Sequence, residues 1–176
     1  MRLLPSSGKL RVGRFGVALR AAGAQNPGMD VDADRLTEIL ASRLAAIVPD
    51  GFHVRARDGM LWYSGEPGRF PGQLSDDQAG AAGTFVRDNL EARGEITEEC
   101  LAGVVAQALD ELQDYVDEAS HDPWPGTRTP PRPFAQVRGQ VLRAWYGGPD
   151  ITSPVILACV PIPLAQIERS PRTGAA

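Results

Sequence analysis

Hydrophobic positions recur at helical spacing in two long parts of the chain. The first predicted helix runs from about Asp34 to Val48, with Asp34 as a suitable N-cap and the Pro49-Asp50-Gly51 turn as its end. The other runs from about Thr97 to Ala119. It carries the most regular apolar stripe in the chain: Leu101, Val104, Val105, Ala108, Leu109, Leu112, Tyr115 and Val116.

A further helix is predicted between these two. Ser75 and Gln78 have the spacing of a capping box, and Gly94 is a typical helix end. The predicted helix therefore extends from Ser75 to about Arg93, with an apolar side made by Phe85, Val86 and Leu90.

Alternating positions around Asp58-Gly59 predict a β-hairpin. Asp-Gly favours a two-residue type I′ turn, which would place Arg57 opposite Met60 and Arg55 opposite Trp62. One face of the hairpin is then apolar and suited to the core: Phe52, Val54, Ala56, Leu61 and Tyr63. The other face holds His53, Arg55, Arg57, Met60 and Trp62.

A second hairpin is predicted near the carboxyl end, with strands at about 134–137 and 140–146 joined at Arg138-Gly139. This pairing would place Phe134 opposite Arg143, with Trp145 nearby. Its two faces would hold Ala135, Val137, Leu142, Ala144 and Tyr146 on one side, and Phe134, Val141, Arg143 and Trp145 on the other. The run Val155–Val160 is apolar on both faces and predicts a central strand.

These elements predict one α+β domain over residues 29–168 of the 176-residue chain. We expect a two-layer sandwich: an antiparallel sheet of four or five strands, with three helices mainly on one face, in the order α-β-β-α-α-β-β-β. Residues 169–176 are expected to be a disordered tail.

Charge separates the first 28 residues from the rest. They carry five basic side chains and no acidic one, which leaves 13 basic and 22 acidic side chains, a net charge of −9, for residues 29–176. We expect residues 1–28 to be a disordered basic extension, or the result of a start codon assigned upstream of Met29, with an arm for an acidic partner as the alternative. A domain this acidic should repel nucleic acid and anionic lipid. No apolar run approaches the roughly 20 residues of a membrane span.

Motifs for catalysis and cofactor binding are missing from the sequence. The chain has two histidines and no phosphate-binding loop, Gly-x-Ser-x-Gly element or Cys-x-x-Cys pair, so no cofactor is expected. A weak metal-binding alternative is the Glu118-x-x-His121 spacing with Asp114 beside it. It favours a second hypothesis: a small enzyme or a metal- or ligand-binding protein, with its site near the carboxyl end of the last predicted helix.

Arginine and tryptophan recur on the predicted non-core face of the hairpins. If Arg55 faces Trp62, the guanidinium can stack on the indole, which is worth about 0.5–1 kcal/mol when exposed. Arg143 and Trp145 repeat the same chemistry. Aromatic side chains with arginine are typical of protein-binding hot spots.

The stretch HDPWPGTRTPPRPF, residues 121–134, contains five prolines around Trp124. Its arginines beside Pro-x-x-Pro approximate a polyproline-recognition ligand, so Trp124 is a candidate binding residue. The alternative is a loop that packs onto the body through Trp124, with the prolines reducing the entropy lost on ordering.

The function predicted from these features is a non-enzymatic protein-binding module, such as an adaptor, a chaperone or an immunity-type protein. Its interaction residues would be Arg55, Trp62, Trp124, Arg143 and Trp145. The partner would be another protein or a second copy of the chain. One lysine against seventeen arginines indicates a high-GC bacterial genome, and we expect a soluble cytoplasmic protein.

Overall fold

The computed structural model describes residues 28–66, 68–70, 83–126, 130–149, 155–159 and 161–169. Its helices are α1 (Ala33–Ala45), α2 (Val86–Glu91) and α3 (Glu98–Ser120), followed by a 3₁₀ turn at Leu164–Gln166. Its strands are β1 (Phe52–Arg57), β2 (Met60–Gly65), β3 (Gly83–Thr84), β4 (Arg132–Val137), β5 (Val141–Gly147), β6 (Val155–Ala158) and β7 (Ile162–Pro163).

Both long helices form where their apolar stripes predict them. Helix α1 begins one residue before its predicted start and is capped by Asp32 rather than Asp34, since the Asp32 side chain accepts the N–H of Arg35 at 3.0 Å. Helix α3 is capped by Thr97 and ends at His121, which adopts the left-handed conformation (φ 58°). Every residue of the predicted α3 stripe is buried.

Strands β1, β2 and β3 form the first sheet, in that order. The predicted register is confirmed, with Arg57 opposite Met60 and Arg55 opposite Trp62. Asp58 and Gly59 both have positive φ, 52° and 75°, as a type I′ turn requires. Phe52, Val54, Leu61 and Tyr63 are buried in the core as expected.

The described part of the helix predicted from Ser75 to about Arg93 is a helix only over Val86–Glu91. Gly83 and Thr84 instead form strand β3, which pairs with Leu61 and Trp62 of β2, and α2 begins at Val86. Ser75 and Gln78, the predicted capping box, lie outside the described residues. Residues 83–84 therefore pair with the edge of β2 instead of continuing the helix that local spacing predicted.

The second sheet has the order β4-β5-β6, with β7 also pairing with β5. The turn between β4 and β5 is centred one residue later than predicted, on Gly139 and Gln140, whose φ values are 57° and 63°. Phe134 consequently faces Trp145, and Arg143 faces Gln136, which corrects the predicted Phe134–Arg143 pair. A shift of two partner positions keeps every side chain on its predicted face.

Among the described strands, the run predicted as a central strand at 155–160 forms an edge strand instead. Strand β6 pairs with β5 on one side, and no described strand pairs with its other side. Val155 and Ile156 are 42% and 48% exposed. An apolar run on both faces could not distinguish a doubly covered strand from an exposed edge strand.

Helix α3 contacts strands of both sheets, and α1 packs on β1 and β2. Two buried tyrosines attach the sheets to adjacent carbonyls of α3. Tyr63 of β2 donates to the carbonyl of Ala108 at 3.1 Å, and Tyr146 of β5 donates to that of Leu109 at 2.7 Å. Burial raises the pKa of both phenols, so they stay protonated donors.

The three helices and the antiparallel strands of the described residues confirm the α+β class, and the described strands divide into two sheets rather than one. Within the described ranges, no helix has the length and apolarity needed to cross a membrane. Of the predicted basic extension (1–28) and tail (169–176), residues 1–27 and 170–176 lie outside the described residues. The backbone N–H of Arg169, predicted to begin the tail, donates to the carbonyl of Asp30 at 2.9 Å.

Candidate functional site

The five predicted interaction residues do not form one continuous surface. Arg55 and Trp62 lie on the first sheet, Arg143 and Trp145 lie on the second, and Trp124 lies in the loop after α3. The predicted Arg/Trp face therefore splits into two separate faces, because each hairpin belongs to its own sheet.

The predicted stacking of Arg55 on Trp62 is not formed. Their backbones are opposite each other as predicted, with Arg55 exposed and Trp62 half-buried. The cation–π geometry that the described residues contain lies instead at Arg69, whose guanidinium carbon is 5.7 Å from the ring centroid of Phe70. Opposite positions in a strand pair did not suffice to place the guanidinium over the indole.

Trp124 packs on the core. It is 9% exposed, and its ring meets Tyr146 edge-on with the centroids 5.0 Å apart. The backbone N–H of Trp124 donates to Oδ1 of Asp117 at 2.6 Å. Its backbone carbonyl accepts a hydrogen bond from Nε2 of Gln113 at 2.7 Å. Of the two alternatives for this loop, the described part fits a packed anchor. Arg128 lies outside the described residues.

Gln113 hydrogen-bonds to two positions of the proline-rich loop. Its Nε2 donates to the carbonyls of Trp124, at 2.7 Å, and Pro131, at 3.1 Å, and the side chain is buried. Gln113 was not predicted from the sequence. The sequence shows only that Gln113 is a polar residue beside the apolar stripe of α3, which does not predict its burial.

The outer side of the second sheet holds the strongest candidate surface. Phe134 and Trp145 are stacked, with ring centroids 6.0 Å apart and planes 26° from parallel. The indole N–H of Trp145 donates to the carbonyl of Gly148 at 3.0 Å, which fixes the ring. The rings border an open depression of about 430 Å³, lined by Phe134, Ala135, Gln136, Arg138, Trp145 and Pro149.

Burial and charge divide this surface into an anchor and a rim. Trp145 is 3% exposed and acts as the packed base, while Phe134 is half-buried and offers contact area. Arg138 and Arg143 are exposed. Aromatic area surrounded by arginine is a combination enriched in protein interfaces.

The carboxylates of α3 do not make a metal site in the described part of the chain. No group of three His, Cys, Asp or Glu side chains there is placed to hold an ion. His121 ends the helix in the left-handed conformation and so leaves the helical geometry that would align it with Glu118 and Asp114. The pKa of Asp114 is raised by partial burial and by the neighbouring carboxylates of Asp110 and Glu118.

No protein-family model, no curated protein and no solved structure matches the chain. A proposal for its function therefore depends on the geometry of the structure.

Proposed function

We propose that this chain is a non-enzymatic protein-binding module, of the adaptor, chaperone or immunity type, that holds its partner on the outer side of the second sheet. The observation that carries the proposal is the Phe134–Trp145 stack at the open depression, with exposed arginines beside it. A partner that covers Phe134 would gain apolar burial, at about 25 cal/mol per Å² of apolar area removed from water.

The shape of the surface favours a protein over a small molecule. Small-molecule sites are concave and bury most of their ligand, whereas this depression is open beside an exposed strand. The net charge of −9 over residues 29–176 opposes nucleic acid. We further propose that the chain comes from a high-GC bacterium, because it has seventeen arginines and one lysine. We also propose a cytoplasmic location, which the free thiols of Cys100 and Cys159 support.

The test is a comparison of proteins captured by the wild-type chain and by a Phe134→Ser variant. Phe134 is half-buried, so this change removes contact area from the proposed surface and leaves Trp145 in place. The matched control is Phe85→Ser, since Phe85 is 54% exposed and follows β3 of the first sheet. We expect the variant to lose a partner that the control keeps. Equal capture by all three proteins would contradict the proposal.

A further inference from the structure

The free edge of β6 differs from the other sheet edges of the described residues. Edge strands carry unpaired N–H and C=O groups and are normally protected by charge, proline, short length or a covering element. Strand β1 has the exposed side chains of His53, Arg55 and Arg57, and β3 is two residues long. Strand β4 contains Arg132 and Pro133 and lies along α3.

Strand β6 lacks charge and proline, and no other described element covers its free edge. Its four residues, Val155–Ala158, include no charge and no proline. Residues 151–167 together contain no Asp, Glu, Lys or Arg, in a chain that is 23% charged. Val155, Ile156 and Ala158 are all exposed. A strand with these properties favours pairing with another strand.

The register of β6 shows which backbone groups are available. The N–H of Cys159 donates to the carbonyl of Ala144 at 3.0 Å, so Cys159 occupies a hydrogen-bonded position of the ladder with β5. Ala158, the preceding residue and the partner of Trp145, occupies the non-hydrogen-bonded position. Its N–H and C=O therefore point away from β5, toward the free edge.

We propose that β6 pairs antiparallel with β6 of a second copy of this chain, which joins two second sheets into one continuous sheet. A two-fold partner presents the same uncharged strand, so apolar side chains meet apolar side chains and no charge is buried.

The size of the contact sets the expected strength. A standard stable interface removes about 800 Å² from each partner, and a pair of four-residue strands is smaller than that. The dimer should therefore be reversible, with a dissociation constant in the roughly micromolar to submillimolar range. The pairing goes beyond the proposed function, because it uses the β6 edge of the second sheet rather than the Phe134–Trp145 depression.

Sedimentation velocity of the full chain, over about 5 to 500 μM, tests the pairing. We expect the sedimentation coefficient to rise from that of a monomer to that of a dimer. Ile156→Lys adds a charge to the edge. Ala158→Pro removes the outward N–H without removing a hydrogen bond to β5. Both should weaken dimerisation at least tenfold, while Phe85→Lys, a control at another exposed apolar residue, should leave it unchanged.

Circular dichroism and urea midpoints establish that each variant is folded. A wild-type chain that stays monomeric throughout overturns the inference, and so does a dimer that both β6 variants leave intact. A monomer that still captures a different protein through Phe134 overturns the self-pairing and leaves the proposed function standing. A monomer with no Phe134-dependent partner overturns both.

Discussion

The two cysteine thiols lie in opposite environments. Cys100 is half-exposed in the first turn of α3, where hydrogen bonds from Thr97, helped by nearby Arg93, lower the pKa of its thiol. Cys159 is 8% exposed, and burial raises the pKa of its thiol to about 12. Since the thiolate is the reactive form, this difference predicts different rates of alkylation.

We expect iodoacetamide at neutral pH to label Cys100 roughly tenfold or more faster than Cys159 in the folded chain. Mass spectrometry of the Cys100→Ser and Cys159→Ser variants gives each rate separately. In urea the two rates should converge, because unfolding removes both the hydrogen bonds and the burial. Equal rates in the native chain would contradict this description of the thiols.

Asp114 should make the folded chain less stable when it is ionised. Partial burial, and then the carboxylates of Asp110 and Glu118, raise its pKa in the folded state. Its protonated form therefore contributes stability that is fully present below the unfolded-state pKa and is lost as pH rises through the folded-state pKa. We expect Asp114→Asn to raise the urea midpoint at pH 7 and to have little effect below the unfolded-state pKa.

The matched control for that experiment is Asp50→Asn, in the turn before β1 and away from the α3 carboxylates. This change removes a carboxylate outside α3, and we expect it to leave the urea midpoint at pH 7 unchanged. If Asp114→Asn instead lowers the urea midpoint at pH 7, the ionised carboxylate makes a favourable contact in the folded chain and the prediction is wrong.

At the scale of elements, the turn between β4 and β5 holds a residue in a conformation that its side chain disfavours. Gln140 has φ 63° in a type I′ turn, where glycine and asparagine are preferred. Gln140→Gly should raise the free energy of unfolding by about 0.5–1 kcal/mol, by relieving the left-handed conformation. Asp58→Gly, at the other type I′ turn, should give a smaller gain because aspartate tolerates this region. Thermal or urea unfolding measures both.

The anchored proline-rich loop predicts a cost for losing either of its contacts. Trp124→Ala should destabilise the chain by about 3–5 kcal/mol, because it opens a cavity against Tyr146. Gln113→Leu leaves the carbonyls of Trp124 and Pro131 without their donor, and should cost about 1–3 kcal/mol. Trp62→Ala is the control, since Trp62 is only half-buried. Urea unfolding in which all three variants are equally stable would contradict the anchor.

The elements that could be predicted from sequence are those whose local signals agree with their packing. Asp58-Gly59 fixed both the turn and the register of the first hairpin, and the apolar stripe of α3 fixed its buried side. Strand β3 could not be predicted, because it forms only where β2 offers a free edge. The edge position of β6 depends on the order of strands, which periodicity does not encode.

The candidate site was predictable only in part for the same reason. Sequence alternation placed Phe134 and Trp145 on one face, but a turn displaced by one residue changed which side chains meet. The separation of the two Arg/Trp pairs required knowledge that the hairpins belong to different sheets. Burial of Trp124 required knowledge of Tyr146 and Asp117 as its neighbours.

For the molecule as a whole, Tyr63 and Tyr146 connect two sheets that share no strand. Each hydroxyl donates to one of two consecutive carbonyls of α3, so each Tyr→Phe substitution should cost about 0.5–1.5 kcal/mol. Hydrogen exchange in increasing urea, read on peptides from β1–β2 and from β4–β5, measures the urea midpoint of each sheet. We expect the two midpoints to coincide in the wild-type chain.

Both sheets pack on α3, so loss of this helix removes packing surface from both of them. Unfolding of α3 should therefore destabilise the two sheets together, and partly unfolded species should be scarce. The chain would then expose the buried strands β2 and β5 only during rare, complete openings, which limits the time available for their proteolysis.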